Sequence, residues 1–424
     1  MILHWLLLSL VDVATAISLA VLVWVALGLI TLVVRFILDE RRLGREGVSP
    51  CPPLAGEVPH VLVQLPVFNE PAVVENVLRT AAALDWPRDK LTIQLLDDST
   101  DETSAIAGRV ATELRASGTD VQHVRRDDRS GFKAGALAAG LELSEAPYIA
   151  MLDVDFRPPA DWLKCVMPRL LADSTAGFAQ SRCEFTNYDK NWITRAQGLL
   201  LDAHFLVEQQ TRARAGWLFQ FNGTGGVWRR AAISAAGGWS AYSITEDLDL
   251  AIRARLAGWH GIFVAEPAIP GQVPETMRNW RRQQRRWSNG FVQVAQRTFG
   301  RILRAPWPLA EKFSALSMMT MQAFFPAVAI GMVALVTAVV LRGMDIRPYL
   351  CELAIVIVLT LIVAIGMTLP PYIALKRGPI SRYVQTVALL PFLMIYLSGA
   401  NAPKILQTLR GRTEMFKRTP KLEA

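Results

Sequence analysis

The sequence predicts a mainly parallel α/β domain inserted between transmembrane helices. Three observations carry that prediction. Four uncharged apolar runs, 13–34, 313–341, 353–375 and 383–403, are each long enough to cross about 30 Å of hydrocarbon. The stretch 58–312 is mixed and charged, so the 52% hydrophobic content is concentrated in those runs. Within 58–312, short apolar strands alternate with helical stretches, the pattern of βα units.

Taken in order, MILHWLLLSL lacks the basic n-region of a signal peptide, and no A-x-A-like cleavage site follows its long apolar run. Residues 1–38 therefore read as a retained transmembrane anchor. The charged, Pro- and Gly-rich 39–57 (DERRLGREGVSPCPPLAGE) reads as a linker. HVLVQLPVF, LTIQLLDD, VQHVRR, YIAMLDVD and GFAQSRCEF read as buried strands. AVVENVLRTAAAL, TSAIAGRVATELRAS and FKAGALAAGLEL read as the helices between them, giving an aqueous domain over 58–276. In 277–312, Trp280, Trp287, Phe291 and Val294 recur at helical spacing among arginines, which suits amphipathic helices lying in a headgroup plane. Two transmembrane helices follow in 313–375, and 376–424 reads as an interfacial helix with a basic tail.

The net charge of +8 gathers beside the apolar runs. Arg35, Arg41, Arg42 and Arg45 follow the first, and Arg297, Arg301, Arg304 and Lys312 precede the second. By the positive-inside rule the large domain is cytosolic. Basic residues so placed point to a lipid bilayer as partner and exclude nucleic acid. The four cysteines show no C-x-x-C spacing, so neither a zinc site nor a disulfide framework is expected.

Four constellations can carry chemistry. Asp97 and Asp98 close the strand LTIQLLDD, where carboxylates can accept from a base or ribose; a helix N-cap with an acidic first turn explains them as well. Asp153 and Asp155 in LDVDF have D-x-D spacing, and a turn between them lets both serve one hard cation such as Mg²⁺ or Mn²⁺. Thr245, Glu246 and Asp247 open the helix EDLDLAIRARLAG; acidic residues suit any first turn, yet Asp247 can be a general base if an acceptor hydroxyl comes within reach. FNGTGGVWRR (221–230) allows close backbone approach to a ligand, or is a turn into a helix at Arg229.

In this order, with Q-x-x-R-W at 283–287, the chain resembles the family 2 glycosyltransferases. These include cellulose synthases, and the likeness is closer to the cellulose-synthase-like glucomannan (β-mannan) synthases. QLPVFNE (64–70), LLDDSTDET (95–103), RSGFKAGAL (129–137), LDVDFRPP (152–159), FNGTGGVWRR, TEDLDLAIRA (245–254) and QQRRW carry the resemblance over 58–300.

The resemblance implies a GT-A, Rossmann-like domain and inverting transfer from a nucleotide sugar, GDP-mannose or UDP-glucose, to a growing β-glycan. A lipid such as ceramide or diacylglycerol is the alternative acceptor. It assigns Asp153 and Asp155 to the metal, and Asn69, Glu70, Asp98, Lys133, Gln283 and Arg286 to the nucleotide. Asp247, beside Glu246, becomes the catalytic base. Trp287 with Asn222, Gly223 and Thr224 forms the acceptor site. FKRTPK (416–421) resembles a gating loop that brings Thr419 to the diphosphate. Cellulose synthases continue into further membrane helices beyond the position of Ala424, so a channel within one chain is not implied and a homo-oligomer stays open.

Overall fold

The structure is a computed structural model describing residues 2–43 and 51–411. Thr419 and the FKRTPK motif lie outside the described residues. The chain forms two compact units.

The first unit is the α/β domain, formed among the described residues by 51–188 and Arg212–Pro274. Its strands are β1 (Val61–Val67), β2 (Leu91–Asp97), β3 (Asp120–Arg125), β4 (Tyr148–Met151), β5 (Ala176–Phe185), β6 (Gly226–Arg229) and β7 (His260–Gly271). They form one sheet in the order β3-β2-β1-β4-β6-β5-β7. β1, β2, β3 and β4 pair in parallel, β6 runs antiparallel to both β4 and β5, and β5 pairs in parallel with β7. The predicted mainly parallel sheet is thus present, with one reversed strand that periodicity could not reveal.

Side-chain alternation explains the layering. Val61, Val63, Leu65 and Val67 of β1 join a core that buries Val74, Val77 and Leu78 of α2 (Pro71–Ala82). The same core buries Ala107 and Val110 of α3 (Thr103–Ala116). On the opposite face Leu62, Ile149 and Met151 meet Ala136 and Leu137 of α4 (Phe132–Glu142). That face also carries a polar ladder: the paired Gln64, Gln94 and Gln122 pass amide hydrogen bonds across β1, β2 and β3 at 3.0 and 3.1 Å. α5 (Trp162–Ala172) covers the first face.

The expected absence of a disulfide does not hold: Cys51 and Cys165 are joined. Cys165 is buried in α5, and Cys51, within the linker stretch 39–57, bonds to it. A pairing across 114 residues leaves no mark in local spacing.

The second unit holds the apolar helices together with Asp189–Thr211. α1 runs from Ile2 to Leu43. Asn191 caps α6 (Trp192–Ala203) with a capping box, and a π-helical segment (His204–Gln209) continues into α7 (Gln210–Arg214). α8 (Arg230–Ala235) and α9 (Glu246–Leu256) belong to the α/β domain. The remaining helices are α10 (Met277–Arg304), α11 (Leu309–Thr320), α12 (Phe324–Leu341), α13 (Leu350–Ala374) and α14 (Ile380–Leu409). A 3₁₀ turn at Met321–Ala323 divides the predicted run 313–341.

Among the described residues, four segments, Ile2–Arg42, Leu309–Leu341, Arg347–Ala374 and Ile380–Leu409, are long and apolar enough to cross a membrane. Val333, Val336 and Val340 on α12, and Ile357, Val358 and Leu361 on α13, face outward. An apolar exterior of this kind suits lipid and not water. Small residues let helices approach closely inside the unit: at Gly366 a Cβ would stand 2.7 Å from Val33 of α1.

Candidate active site

In a parallel sheet every strand delivers its carboxyl end to the same edge, and ligands bind there where the winding reverses. β1 is flanked by β2 on one side and β4 on the other, so the reversal lies at β1 and β4. Asn69 and Glu70 leave β1, Asp97 and Asp98 end β2, and Asp153 and Asp155 follow β4.

On the β2 side neither aspartate caps α3, whose N-cap residue is Glu102. Asp97 is buried and accepts from His123 at 2.8 Å, Ser104 at 2.5 Å and the Ser99 amide at 2.9 Å. Burial alone would raise its pKa, but these bonds outweigh that and hold the carboxyl below its ordinary value. Asp98 accepts bidentately from Arg126 at 2.9 and 2.5 Å, and Arg129 lies 3.9 Å away. The Arg129 guanidinium also lies over the Phe68 ring, 3.2 Å from its centroid. Asn69 takes a left-handed φ of 53° and locks onto the next turn, its amide donating to Ser99 Oγ and its side-chain oxygen accepting from the Thr100 amide, both at 2.9 Å. Arg126 and Arg129 were not singled out from sequence. VQHVRR reads only as a strand and Arg129 only as part of RSGFKAGAL, and their approach to Asp98 depends on β3 pairing beside β2.

On the β4 side the strand stops at Met151, so D-x-D sits in a turn closed by the Phe156 amide on the Asp153 carbonyl at 3.0 Å. The 221–225 loop docks directly onto it. The Asp153 amide donates to Thr224 Oγ1 at 2.9 Å, and the Gly225 amide donates to the Met151 carbonyl at 2.8 Å. This loop leads into the short strand β6, and the helix expected at Arg229 follows it, with Arg229 as the N-cap of α8. Gln180, buried in β5, holds the loop from beneath: it accepts from the Asn222 amide and donates to the Thr224 carbonyl, each at 2.9 Å. Sequence reading missed Gln180. Its signal was an amide inside an otherwise buried strand.

Lys133 joins the separate motifs. Its Nζ donates to Asp153 Oδ1 at 2.7 Å and to the Gly223 carbonyl at 2.9 Å, and lies 3.6 Å from Glu246 Oε1. Burial alone would lower the ammonium's pKa, but Asp153 and Glu246 outweigh it and raise it.

Asp247 stands in the first turn of α9 with Glu246. Removal from water and the Glu246 carboxylate push its pKa up to about 7, against the opposing charge of Lys133 and the Leu248 amide. Gly223, at φ +74°, passes so close that a Cβ there would stand 2.8 Å from Asp247 Oδ2. Asp249, one turn face away, is a buried structural partner of Arg253 at 2.7 Å.

The α/β domain thus brings Lys133, Asp153, Asn222, Gly223, Thr224, Glu246 and Asp247 into one cluster. A half-buried carboxylate with raised pKa can take a proton, and two further carboxylates in a turn offer hard oxygens to a cation. Gln283, Arg286 and Trp287 lie on α10 in the second unit; Trp287 is half-buried, whereas Trp280 is enclosed in that unit's core.

The family described as glycosyltransferase like family 2 matches residues 59–290. A glucomannan 4-beta-mannosyltransferase from Arabidopsis thaliana is 40% identical over 250 residues, 58% of this chain and 47% of the relative. Another from Oryza sativa subsp. japonica is 39% identical over 250 residues, 58% of this chain and 48% of the relative. The chain therefore spans about half the length of the curated relatives it matches. Among solved structures, the mannosyltransferase PcManGT from Pyrobaculum calidifontis, in complex with GDP-Man and Mn²⁺, aligns with a TM-score of 0.60 at 20% identity. That alignment covers 92% of this chain and 99% of that one, a likeness of fold.

Proposed function

Because the chain belongs to the glycosyltransferase like family 2, we propose that it is an inverting, membrane-embedded β-hexosyltransferase that extends a β-1,4-mannan from GDP-mannose. The observation that carries this reading is the cluster in which Asp247, with its raised pKa, stands beside the D-x-D turn and the glycine loop. The mannosyl donor is supported by the named activity of the relatives and by the GDP-Man held by PcManGT. UDP-glucose remains the donor to test against it.

In this mechanism Asp247 takes the proton of the acceptor hydroxyl as that oxygen attacks the anomeric carbon. The bond from that carbon to the diphosphate oxygen breaks, and the configuration inverts. Glu246 keeps Asp247 basic and Gly223 leaves room for it. Thr224 and Asn222 shape the acceptor side. The hard oxygens of Asp153 and Asp155 fit Mg²⁺ or Mn²⁺, which would stabilise charge on the departing diphosphate. Asn69, Glu70 and the Asp98–Arg126–Arg129 group form the nucleoside side. The roles of Gln283 and Arg286 at the diphosphate, of Trp287 under the acceptor sugar, and of Thr419 as a gate rest on their motifs. The domain lies on the cytosolic side by its flanking arginines.

The test is to incubate the detergent-purified protein with labelled GDP- and UDP-sugars and digest the product with mannanase. Polymer sensitive to mannanase is expected from GDP-mannose. An enzyme-resistant, solvent-extractable glycolipid would replace the polymer by a lipid acceptor. An Asp247→Asn variant that transfers sugar at the wild-type rate would refute the base assignment.

A further inference from the structure

The resemblance assigns Lys133 to the nucleotide, but the structure sets its ammonium on the Asp153 carboxylate of the D-x-D turn. Nζ is fixed from three directions, by Asp153 Oδ1 at 2.7 Å, the Gly223 carbonyl at 2.9 Å and Glu246 Oε1 at 3.6 Å. Asp247 faces the same point, since a Cβ on Gly223 would meet both Asp247 Oδ2 at 2.8 Å and Lys133 Nζ at 3.4 Å. The ammonium thus lies among the carboxylates of Asp153, Glu246 and Asp247. A divalent ion ligated by Asp153 Oδ1 would sit about 2.0–2.2 Å from that oxygen. The ammonium is already 2.7 Å from the same atom, so the two cations would stand within about 5 Å of each other and compete for the charge of one carboxylate oxygen.

We propose that Lys133 is a built-in competitor of the divalent cation: it occupies the Asp153 carboxylate until a diphosphate brings the negative charge that lets metal and ammonium coexist. The proposal rests on the reading of Asp153 and Asp155 as the metal pair. It makes Lys133 a positioning residue whose flexible four-carbon stem can turn from Asp153 towards phosphate. Its consequence is order: the metal binds weakly alone and tightly with the nucleotide, so the acidic cluster is not filled by metal in the absence of donor.

The experiment is an Mn²⁺ titration of the full-length protein in detergent without nucleotide, read by electron paramagnetic resonance. Lys133→Met should bind Mn²⁺ at least tenfold more tightly than wild type, and Lys133→Arg, which keeps the charge, should stay near wild type. Equal or weaker binding by Lys133→Met overturns the proposal, as does equal tightening by Lys133→Arg. Thermal melts accompany the titration, and Mn²⁺ should raise the midpoint of Lys133→Met more than that of wild type. If Lys133→Met and Lys133→Gln both lack a cooperative melt with Mn²⁺ present, Lys133 is structural and the proposal fails. GDP added to wild type should tighten Mn²⁺; no gain from GDP or UDP would count against the nucleotide-sugar reading while the Lys133→Met comparison still decides the competition.

Discussion

Gly223→Ala isolates the close approach on which the base depends. Gly223 has φ +74°, and an added Cβ would lie 2.8 Å from Asp247 Oδ2, where ordinary contact begins at 3.4 Å. Two costs follow. The left-handed backbone costs an alanine about 1–2 kcal/mol of stability. The carboxylate must also retreat by about 0.6 Å, and since misplacement of about 1 Å can cost about 100-fold, a loss of at least about tenfold in kcat/KM is expected. Gly118→Ala provides the control. That glycine has φ +84° in a turn after α3, and its Cβ would meet only Arg88 at an ordinary 3.5 Å. It carries the backbone cost without touching the site. The assay is nucleoside diphosphate release by purified protein, with a thermal melt for each variant. Both variants should lose similar stability, and only Gly223→Ala should lose turnover. Equal turnover losses in the two, or a folded Gly223→Ala within twofold of wild type, would refute the role assigned to this approach.

With the Asp247 pKa raised to about 7, the base is protonated below that pH, so kcat/KM should rise through an acid limb near neutrality and Asp247→Asn should abolish the limb with the activity. The native state also keeps a proton that the unfolded chain releases near pH 4, so this group's contribution to stability falls as pH rises from about 4 to about 7. Melting midpoints across that window should show the fall in wild type, and Asp247→Asn should flatten it. Arg126→Ala leaves the buried Asp98 carboxylate without its bidentate partner and should cost about 3 kcal/mol, read by denaturant titration; a loss below about 0.5 kcal/mol would mean water replaces the guanidinium. Reducing Cys51–Cys165 opens a loop across 114 residues and should lower stability by up to about 5 kcal/mol, with two more thiols alkylated than in the untreated protein.

What could be read from the sequence was whatever depends on local pattern. Strands β1 to β5 and helices α2 to α4 begin and end within a few residues of their apolar runs, because each buries a face whose period is visible. The carboxylates of the site were also legible, since they sit at strand and helix ends. What escaped was pairing at a distance. Asp98 looked like a ligand-facing carboxylate, and its bidentate hold on Arg126 depends on β3 lying beside β2. Cys51 and Cys165, and the placing of 189–211 with the apolar helices, are likewise decided by tertiary contact.

The reversed strand explains why the glycine loop precedes its strand while the other motifs follow theirs. β4 reaches the ligand edge at its end, so D-x-D comes after Met151. β6 runs antiparallel, with Met151 paired to Gly226, and so leaves that edge at its beginning. Only residues before Gly226 can therefore approach Asp153, and 221–225 do so, through Thr224 and the Gly223 carbonyl that Lys133 holds. Had β6 been parallel, FNGTGG would have been delivered to the opposite edge, far from D-x-D. One strand direction thus converts motifs about 70 residues apart into a single wall, joined by the Gly225 amide on the Met151 carbonyl, the Asp153 amide on the Thr224 hydroxyl and the Lys133 ammonium on the Gly223 carbonyl. Gly223 stands where this wall meets both Asp247 and Lys133, so an added Cβ there tests the approach of the loop without removing a charged group.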